Sequence, residues 1–304
     1  VSSLSIEAVA KEIAKECGGL PLAIATVGRA LRKEYNVRQW RIALRELQNS
    51  TIRIDGMENQ VLSRLRFSYE RLKDDTTRSC FLFCAVYPKD HHVNVEELIR
   101  YWIYEGQLGN LGDMETKMQQ GYILVDELKN ACMLESICQH GSIDEHVKMH
   151  DLIRDMAIAL TGANQIYMVR ARHSICKPPL HEEWHPDLER VSLMRNDLSS
   201  LDCEPRCPKL STLLLQYNSL SKGINPSFFN HMQNLQVLDL SYTGILRLPD
   251  SFSNLENLRA LLLCSCWNLH YVPTLSKLKE LRVLDLSYSS IEHMPHGMEM
   301  LANL

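Results

Sequence analysis

The chain has 304 residues, of which 45% are hydrophobic and 23% charged, and its net charge at pH 7 is −4. These values are typical of globular proteins, and they exclude a disordered, collagenous or disulfide-scaffold chain. The net negative charge also argues against a protein whose main role is to bind phosphate backbones, because such proteins need a basic surface. The length allows about two or three domains.

The first part of the chain, residues 1–170, is predicted to be mostly helical. Apolar residues in the segment 6–17 recur with the period of a helix, and Gly18 and Gly19 are expected to end that helix. Pro21 is suited to begin the next helix, because proline is tolerated at the first helical position. Further helical patterns cover residues 40–47, 61–67, 80–86, 95–104 and 118–131.

The end of this part has a different pattern. A strand-like segment around Val147 and Met149 precedes a predicted helix over residues 151–160, for which Asp151 is a suitable N-cap. Several helices with a strand pair before the last one are compatible with a winged helix. The predicted fold class is therefore α+β and multidomain, with a helical bundle and a winged helix in front of the segment described next.

Residues 188–304 repeat one pattern, L-x-x-L-x-L-x-x-N-x-L, every 22 to 25 residues. Five copies in register predict a leucine-rich-repeat α/β solenoid. The L-x-L pair of each copy lies on a short strand with its leucines buried, and the Asn, or the Thr, Cys or Ser in its place, turns the chain. Such an array needs caps, and none follows Leu304. The sequence therefore indicates a piece of a longer protein.

Residues that alternate with the buried leucines are expected to face outward on the concave side of the sheet. Tyr217, Tyr242 and Tyr288 recur at one register and should form an aromatic row beside that sheet. Exposed aromatic side chains anchor protein interfaces, which predicts a protein-binding face, although the row could instead pack within the edge of the solenoid. The candidate face comprises Arg190, Met194, Gln216, Tyr217, Asp239, Tyr242, Asp285 and Tyr288.

Four segments, in chain order, resemble motifs of one protein family. They are Gly19-Leu20-Pro21-Leu22-Ala23, residues 80–106, Met149-His150-Asp151, and Trp184 followed by residues 190–194. They are similar to the G-L-P-L-A signature, the winged-helix motif, the M-H-D motif and the start of the repeats of plant NB-ARC leucine-rich-repeat disease resistance proteins. The resemblance covers the whole chain and is greater to the coiled-coil type than to the TIR type.

This resemblance implies a domain organisation. Residues 1–70 would be the C-terminal helical part of the NB-ARC region, and residues 71–170 the winged-helix domain that ends in the M-H-D motif. Residues 171–187 would be a linker, and residues 188–304 about five repeats. The N-terminal signalling domain and the nucleotide-binding domain of the family would lie outside this chain.

The resemblance also implies a switch that is held inactive by ADP. By position, Pro21 would pack on the adenine side of the nucleotide and His150 would reach its β-phosphate. These roles are chemically reasonable, because a proline ring offers an apolar surface and an imidazole N–H can donate to a phosphate oxygen. The switch or structural positions would be Gly19, Leu20, Leu22, Met149 and Asp151.

No G-x-x-x-x-G-K-[ST] loop occurs in the sequence. The chain alone is therefore not expected to bind nucleotide tightly or to act as an enzyme, and ADP or ATP is expected only in the full-length protein. The resemblance implies a cytoplasmic protein, with peripheral attachment to the plasma membrane as an alternative in full length. Its implied partners are a pathogen effector or a guarded host protein, the nucleotide-binding domain of the same chain, and further copies on activation.

Two other functions fit parts of the sequence, namely protein binding without switching and DNA recognition. A plain leucine-rich-repeat scaffold would bind proteins without switching, and it would have no use for Pro21, His150 and Asp151. A winged helix that reads DNA would need a basic face, which the net charge disfavours.

Two features of the sequence resemble metal-binding sites, but each departs from what such a site requires. His181-Glu182-Glu183-Trp184-His185 matches the zinc-protease motif H-E-x-x-H, but Pro186 disfavours helical geometry at the residue before it. The ten cysteines contain no paired C-x-x-C set of the kind that holds structural zinc. We expect reduced thiols, mostly buried, no metal site, no nucleic-acid partner and no transmembrane segment.

Overall fold

The computed structural model describes residues 3–52, 57–109, 112–137, 144–162 and 165–304. The chain divides into two compact units. The first comprises Val1–Cys84, Asp90–Ile99 and Asn110–Ala159, and the second comprises Ala85–Lys89, Arg100–Gly109 and Leu160–Leu304.

The first unit begins with four helices. They are α1 (Ser3–Glu16), α2 (Pro21–Ala30), α3 (Val37–Ile52) and α4 (Met57–Glu70). Helix α1 packs against α3, and α4 packs against α2 and α3. Buried residues at helical spacing form their common core, namely Val9, Ile13, Cys17, Ala23, Val27, Leu31, Ala43, Leu44, Leu47 and Phe67. The apolar stripe that the sequence predicts for residues 6–17 supplies three of these core residues, Val9, Ile13 and Cys17.

The winged-helix elements follow in chain order. They are α5 (Asp75–Cys84), β1 (Val93–Asn94), α6 (Val95–Tyr104), α7 (Met114–Asn130), β2 (Glu135–Ile137), β3 (His146–Lys148) and α8 (Asp151–Gly162). The three strands form an antiparallel sheet with β3 in the centre. Asp74 caps α5 by accepting a 2.8 Å hydrogen bond from the Thr77 backbone N–H. The Thr77 donors hold the pKa of the Asp74 carboxyl below its usual range.

The second unit is built on a parallel sheet. Its strands, with two further short ones, are β4 (Tyr167–Val169), β5 (Arg190–Ser192), β6 (Ser200–Leu201), β7 (Thr212–Leu214), β8 (Gly223–Ile224), β9 (Val237–Asp239), β10 (Ala260–Leu262) and β11 (Val283–Asp285). The sheet order is β4-β5-β7-β9-β10-β11, and β6 pairs with β8 separately. The L-x-L leucines stack in register, so Leu213, Leu238, Leu261 and Leu284 pair from strand to strand. The predicted solenoid is confirmed.

The turn after each sheet strand is also repeated. The residue before the Asn, Thr, Cys or Ser of the pattern adopts a left-handed backbone with φ near +55° to +59° in all five copies, at Arg195, Tyr217, Tyr242, Ser265 and Tyr288. The next residue, which is the Asn, Thr, Cys or Ser of the pattern, hydrogen-bonds to the backbone of the turn, and Asn218 shows this most fully. Its side-chain amide donates to the carbonyls of Leu193 and Leu215, both at 2.9 Å, and accepts from the Leu198 backbone N–H at 3.2 Å.

Candidate functional site

The turn between α1 and α2 presents Pro21 at the protein surface. Helix α1 ends because Gly18 and Gly19 take left-handed conformations, with φ of +62° and +73°, that favour glycine. Pro21 is the first residue of α2, as the sequence predicts. Its ring is exposed, and on the same side of the helix Ile24 is 41% exposed. The start of α2 therefore carries a small apolar surface beside the proline.

The other residues of this motif help to form the turn and its packing against the helices. Leu20 is partly buried and packs against the core of the four helices, and Leu22 is half-buried. The Leu20 backbone N–H donates to the Cys17 carbonyl at 3.2 Å, which closes the turn. For Gly19, a Cβ would meet no atom within 4 Å, so its backbone conformation rather than space favours glycine there.

His150 lies directly before helix α8. Its carbonyl accepts from the backbone N–H groups of Ile153 and Arg154, both at 2.9 Å, and its Nδ1 accepts from the Leu152 N–H at 3.2 Å. The neutral ring then carries its proton on Nε2. Helix α8 begins at Asp151 itself, so His150 occupies the N-cap position that we expected for Asp151. The imidazole can take that position because Nδ1 supplies the acceptor that a cap needs.

Asp151 and Met149 flank this histidine. Asp151 is in the first turn of α8, where a negative charge interacts favourably with the helix dipole. Met149 is 7% exposed and belongs to the buried part of the unit. The M-H-D segment thus combines a buried apolar anchor, a ring with one N–H donor and a carboxylate at a helix start.

The concave side of the repeats is covered in part by the chain itself. The segment Arg100–Gly109, called the docked segment below, includes the end of α6 and belongs to the same unit as the repeats. Glu105 of this segment forms an ion pair with Arg190 on β5, with N–O distances of 2.8, 3.0 and 2.6 Å. Thr212 on β7 also donates to Glu105, and Tyr101 donates to the Asp239 carboxylate on β9.

This contact corrects part of the expected outward face. Arg190, Gln216 and Asp239 are each less than 10% exposed, and Met194 is 1% exposed. The three polar ones contact the docked segment, since Gln216 Nε2 lies 3.5 Å from the Tyr101 hydroxyl. The repeat pattern assigned these side chains to the correct face of the sheet, but it carries no information about what covers that face.

The tyrosines of the aromatic row are partly exposed, and two of them pack against each other. The rings of Tyr217 and Tyr242 stack with centroids 4.5 Å apart and an interplanar angle of 6°, and the Arg195 guanidinium lies 4.0 Å from the Tyr217 centroid. Tyr288 is 69% exposed and contacts Trp267, which is 63% exposed. Sequence reasoning missed Trp267. A large aromatic residue where the other repeats have Asp, Ser or Gly was the available signal.

Burial of Asp239 has a consequence for pH dependence. Desolvation raises the pKa of its carboxyl, even though hydrogen bonds from Tyr101 and Ser241 lower it. The folded state therefore holds this proton more tightly than the unfolded state, and stability is lost as pH rises above the unfolded pKa of about 3.9. Asp239→Asn keeps an acceptor and cannot ionise. We expect its free energy of unfolding, relative to wild type, to increase between pH 4 and pH 7 in urea titrations.

Asp74→Asn is the matched control, because the pKa of Asp74 is shifted in the opposite direction. Its stability relative to wild type should decrease over the same pH range. Parallel trends for both variants would contradict the assignment of the Asp239 effect to burial.

The H-E-x-x-H segment does not form the α-helix that the zinc-protease motif requires. Residues His181–Glu183 form a single short 3-10 helix, and Glu183 pairs with Arg170. Among the described residues, no group of three or more His, Cys, Asp or Glu side chains could hold a metal ion. Within that part of the chain, no helix is both long enough and apolar enough to cross a bilayer.

The described cysteines are all free thiols. Five are buried, and burial raises the pKa of Cys84 and raises that of Cys207 to about 12. Such thiols are poor nucleophiles, because the thiolate is the reactive form.

Comparison with known protein families agrees with this architecture. Residues 86–157 match the family described as Disease resistance protein Winged helix domain, and residues 208–266 match Leucine rich repeat. Neither family is catalytic in general. A solved leucine-rich-repeat protein of Leptospira interrogans is 21% identical, with a TM-score of 0.28, and the match covers 39% of this chain and 36% of that one.

Curated relatives extend the match over most of the chain. Probable disease resistance protein At4g27220 of Arabidopsis thaliana is 40% identical over 91% of this chain and 30% of its own length. Disease resistance protein At4g27190 of the same plant is 38% identical over 99% of this chain and 31% of its own length. Disease resistance protein RPS5 is 35% identical over 90% of this chain and 31% of its own length. The chain thus spans about a third of the length of these relatives. The chain therefore joins a winged-helix domain of the disease-resistance type to leucine-rich repeats, and over most of its length it is similar to plant disease resistance proteins.

Proposed function

We propose that this chain is the switch-and-sensor part of a cytoplasmic plant immune receptor that is held inactive by ADP. In this proposal, residues 1–70 complete the NB-ARC region, residues 71–170 form the winged helix, residues 171–187 are a linker and residues 188–304 are the sensing repeats. The nucleotide would lie against these residues only when the nucleotide-binding domain is present. A pathogen effector or guarded host protein would bind the repeats, and activated copies would oligomerise.

The observation that carries the proposal is the hydrogen bonding of His150. Because Nδ1 accepts from the Leu152 N–H, the neutral ring has its N–H donor on Nε2. The ring also lies at the start of α8, a twelve-residue helix, and helix N-termini favour negatively charged groups. A phosphate oxygen is a suitable partner for both features. A scaffold that only binds proteins would have no use for them.

Pro21 supports the same proposal from the other motif. Its exposed ring and the exposed Ile24 give α2 an apolar surface where it leaves the Gly18-Gly19 turn. A purine face, or an apolar surface of the nucleotide-binding domain, could cover it. Both motif residues lie in the first unit of the structure.

The full-length protein that contains this chain should purify with bound ADP. We expect close to one ADP per protein after denaturing extraction and chromatography, and at least a tenfold lower content for His150→Ala, because one donor to the β-phosphate is lost. His293→Ala, an exposed histidine of the last repeat, is the control and should retain ADP. A wild-type protein without nucleotide would contradict the proposal.

A further inference from the structure

Arg64, on helix α4, is a charged side chain that is more than nine-tenths buried. The residue is 9% exposed, and its Nε has no hydrogen-bond partner in the described part of the chain. No ion pair among the described residues includes it either, whereas Arg66 of the same helix pairs with Glu70. Arginine is rarely buried to this extent without a partner, because an unpaired charge gives up its hydration. The side chain can therefore still bind an anion.

The guanidinium of Arg64 lies against the turn between α1 and α2. A Cβ on Gly18 would be 2.9 Å from Nη1 and 3.4 Å from both Cζ and Nη2, so the flat group packs beside this glycine. Gly18 itself is exposed. Any larger residue at this position would meet the guanidinium, whereas glycine leaves space beside it. The charged group is thus reached from the surface of the turn.

The start of helix α2 is a second group at this turn that attracts an anion. Its N-cap residue, Leu20, has no side-chain acceptor, so the first N–H groups of the helix, at Leu22 and Ala23, receive no side-chain cap. Gly18 precedes the first residue of α2 by only three positions, and α2 packs against α4. A guanidinium and the positive end of a ten-residue helix therefore flank one turn, and both favour a negatively charged oxygen.

The acidic groups next to this turn in the sequence do not balance the charge of Arg64. Glu16 accepts a hydrogen bond from Gln48 Nε2 at 3.2 Å. Cys17 is completely buried, and burial raises the pKa of its thiol although the nearby Arg64 lowers it. The thiol is therefore neutral at pH 7 and supplies no negative charge.

We propose that Arg64 and the start of α2 form an anion-binding site that takes one carboxylate or phosphate group. A guanidinium offers paired N–H donors to two oxygens of either group, and the first N–H groups of the helix add further donors. The site goes beyond the proposed function, in which the β-phosphate lies at His150. In the full-length protein its occupant is either an acidic side chain of the nucleotide-binding domain or a phosphate of the bound nucleotide.

Titration of the 304-residue chain with inorganic phosphate tests the site. Labelling with ¹⁵N-glycine gives a spectrum of only 13 glycines, in which the Gly18 and Gly19 amides can be followed. We expect a saturable shift of both resonances, with a dissociation constant at least tenfold higher in Arg64→Met, which removes the charge and keeps an unbranched side chain. Arg66→Met is the matched control, because Arg66 is exposed on the same helix. The same shift with sodium chloride of equal ionic strength, or equal affinity in Arg64→Met, would overturn the proposal.

The stability of Arg64→Met distinguishes an anion site from an arginine that only supports the fold. In anion-free buffer the substitution removes an unpaired buried charge, so the midpoint of urea unfolding should equal or exceed that of wild type. Saturating phosphate should raise the midpoint of wild type and leave that of Arg64→Met unchanged, because a ligand stabilises only the state that binds it. A lower midpoint for Arg64→Met in anion-free buffer would show that the arginine stabilises the fold by itself, and would overturn the proposal.

Two glycine variants test the approach to the guanidinium. Gly18→Ala and Gly19→Ala both place alanine in a left-handed conformation, at φ of +62° and +73°, so their backbone strain is similar. Only the Cβ at position 18 meets Arg64, since a Cβ on Gly19 has no atom within 4 Å. Calorimetric phosphate binding should be at least tenfold weaker in Gly18→Ala and near wild type in Gly19→Ala. Equal affinities for the two variants would refute the site.

The full-length protein identifies the occupant. A wild-type protein that no longer binds added phosphate, with ADP retained in Arg64→Met, assigns the site to a carboxylate of the protein. At least tenfold less ADP in Arg64→Met assigns it to a phosphate of the nucleotide. Full-length protein that binds phosphate as tightly as the 304-residue chain does would contradict an occupant within the protein. Absence of ADP from wild type would refute the proposed switch, while the titrations of the shorter chain report on the anion site alone.

Discussion

Replacing Phe228 by alanine is expected to lower the free energy of unfolding of the repeat unit by about 3–5 kcal/mol. Phe228 is completely buried, and its ring packs edge-to-face against Trp184 at 5.8 Å and against Phe229 at 5.1 Å. Phe229 in turn contacts Phe252 of the next repeat at 6.2 Å. The substitution removes the second of four rings that join the segment before the repeats to two of them.

A urea titration would measure this loss, with hydrogen exchange of peptides from residues 188–304 as the readout of unfolding. Leu246→Ala is the control, because Leu246 is 46% exposed in the same array and its truncation should cost less than about 0.5 kcal/mol. A loss below about 1 kcal/mol for Phe228→Ala would mean that neighbouring side chains fill the cavity, which close aromatic packing argues against.

Asn218→Ala is expected to lower the free energy of unfolding of the same unit by about 2–4 kcal/mol. The side chain is 3% exposed and satisfies two carbonyls and one backbone N–H, which belong to two adjacent repeats. Each buried backbone group left without a partner costs about 1–3 kcal/mol, and partial hydration of the new cavity reduces the sum.

Ser289→Ala is the matched control at the equivalent position of the last repeat. Its hydroxyl donates one hydrogen bond, to the Leu286 carbonyl at 2.8 Å, and the side chain is only half-buried. We expect a loss of about 1 kcal/mol or less by the same urea assay. Equal losses for the two variants would show that the asparagine does not bridge neighbouring repeats in solution.

The repeats were predictable residue by residue because their signal is periodic. The strands begin at Arg190, Thr212, Val237, Ala260 and Val283, each two residues after the first leucine of a copy. Burial of a leucine at every second position leaves little choice of register. The helices of the first unit were predictable for a related reason, since one face of each has to be apolar.

Contacts between distant segments were not predictable in this way. Strand β4 pairs with β5 although residues 167–169 do not carry the leucine pattern. Glu105 and Arg190 are 85 residues apart, and each has the appearance of an ordinary surface charge in its own segment. The periodicity of a segment contains no information about its distant partners, so the burial of part of the candidate face could not be predicted from the sequence.

The left-handed turn after each strand sets the spacing of the aromatic row. Because the sheet holds successive turns about 4.8 Å apart, Tyr217 and Tyr242 of neighbouring repeats stack at 4.5 Å, while Ser265 occupies the position between Tyr242 and Tyr288. The segments that return across the other side of the sheet can change in length without altering this interval. Loss or gain of a whole repeat would displace the surface by one interval and leave its remaining spacing intact. The spacing of these aromatic side chains is therefore set by the sheet and does not depend on the length of the loops behind it.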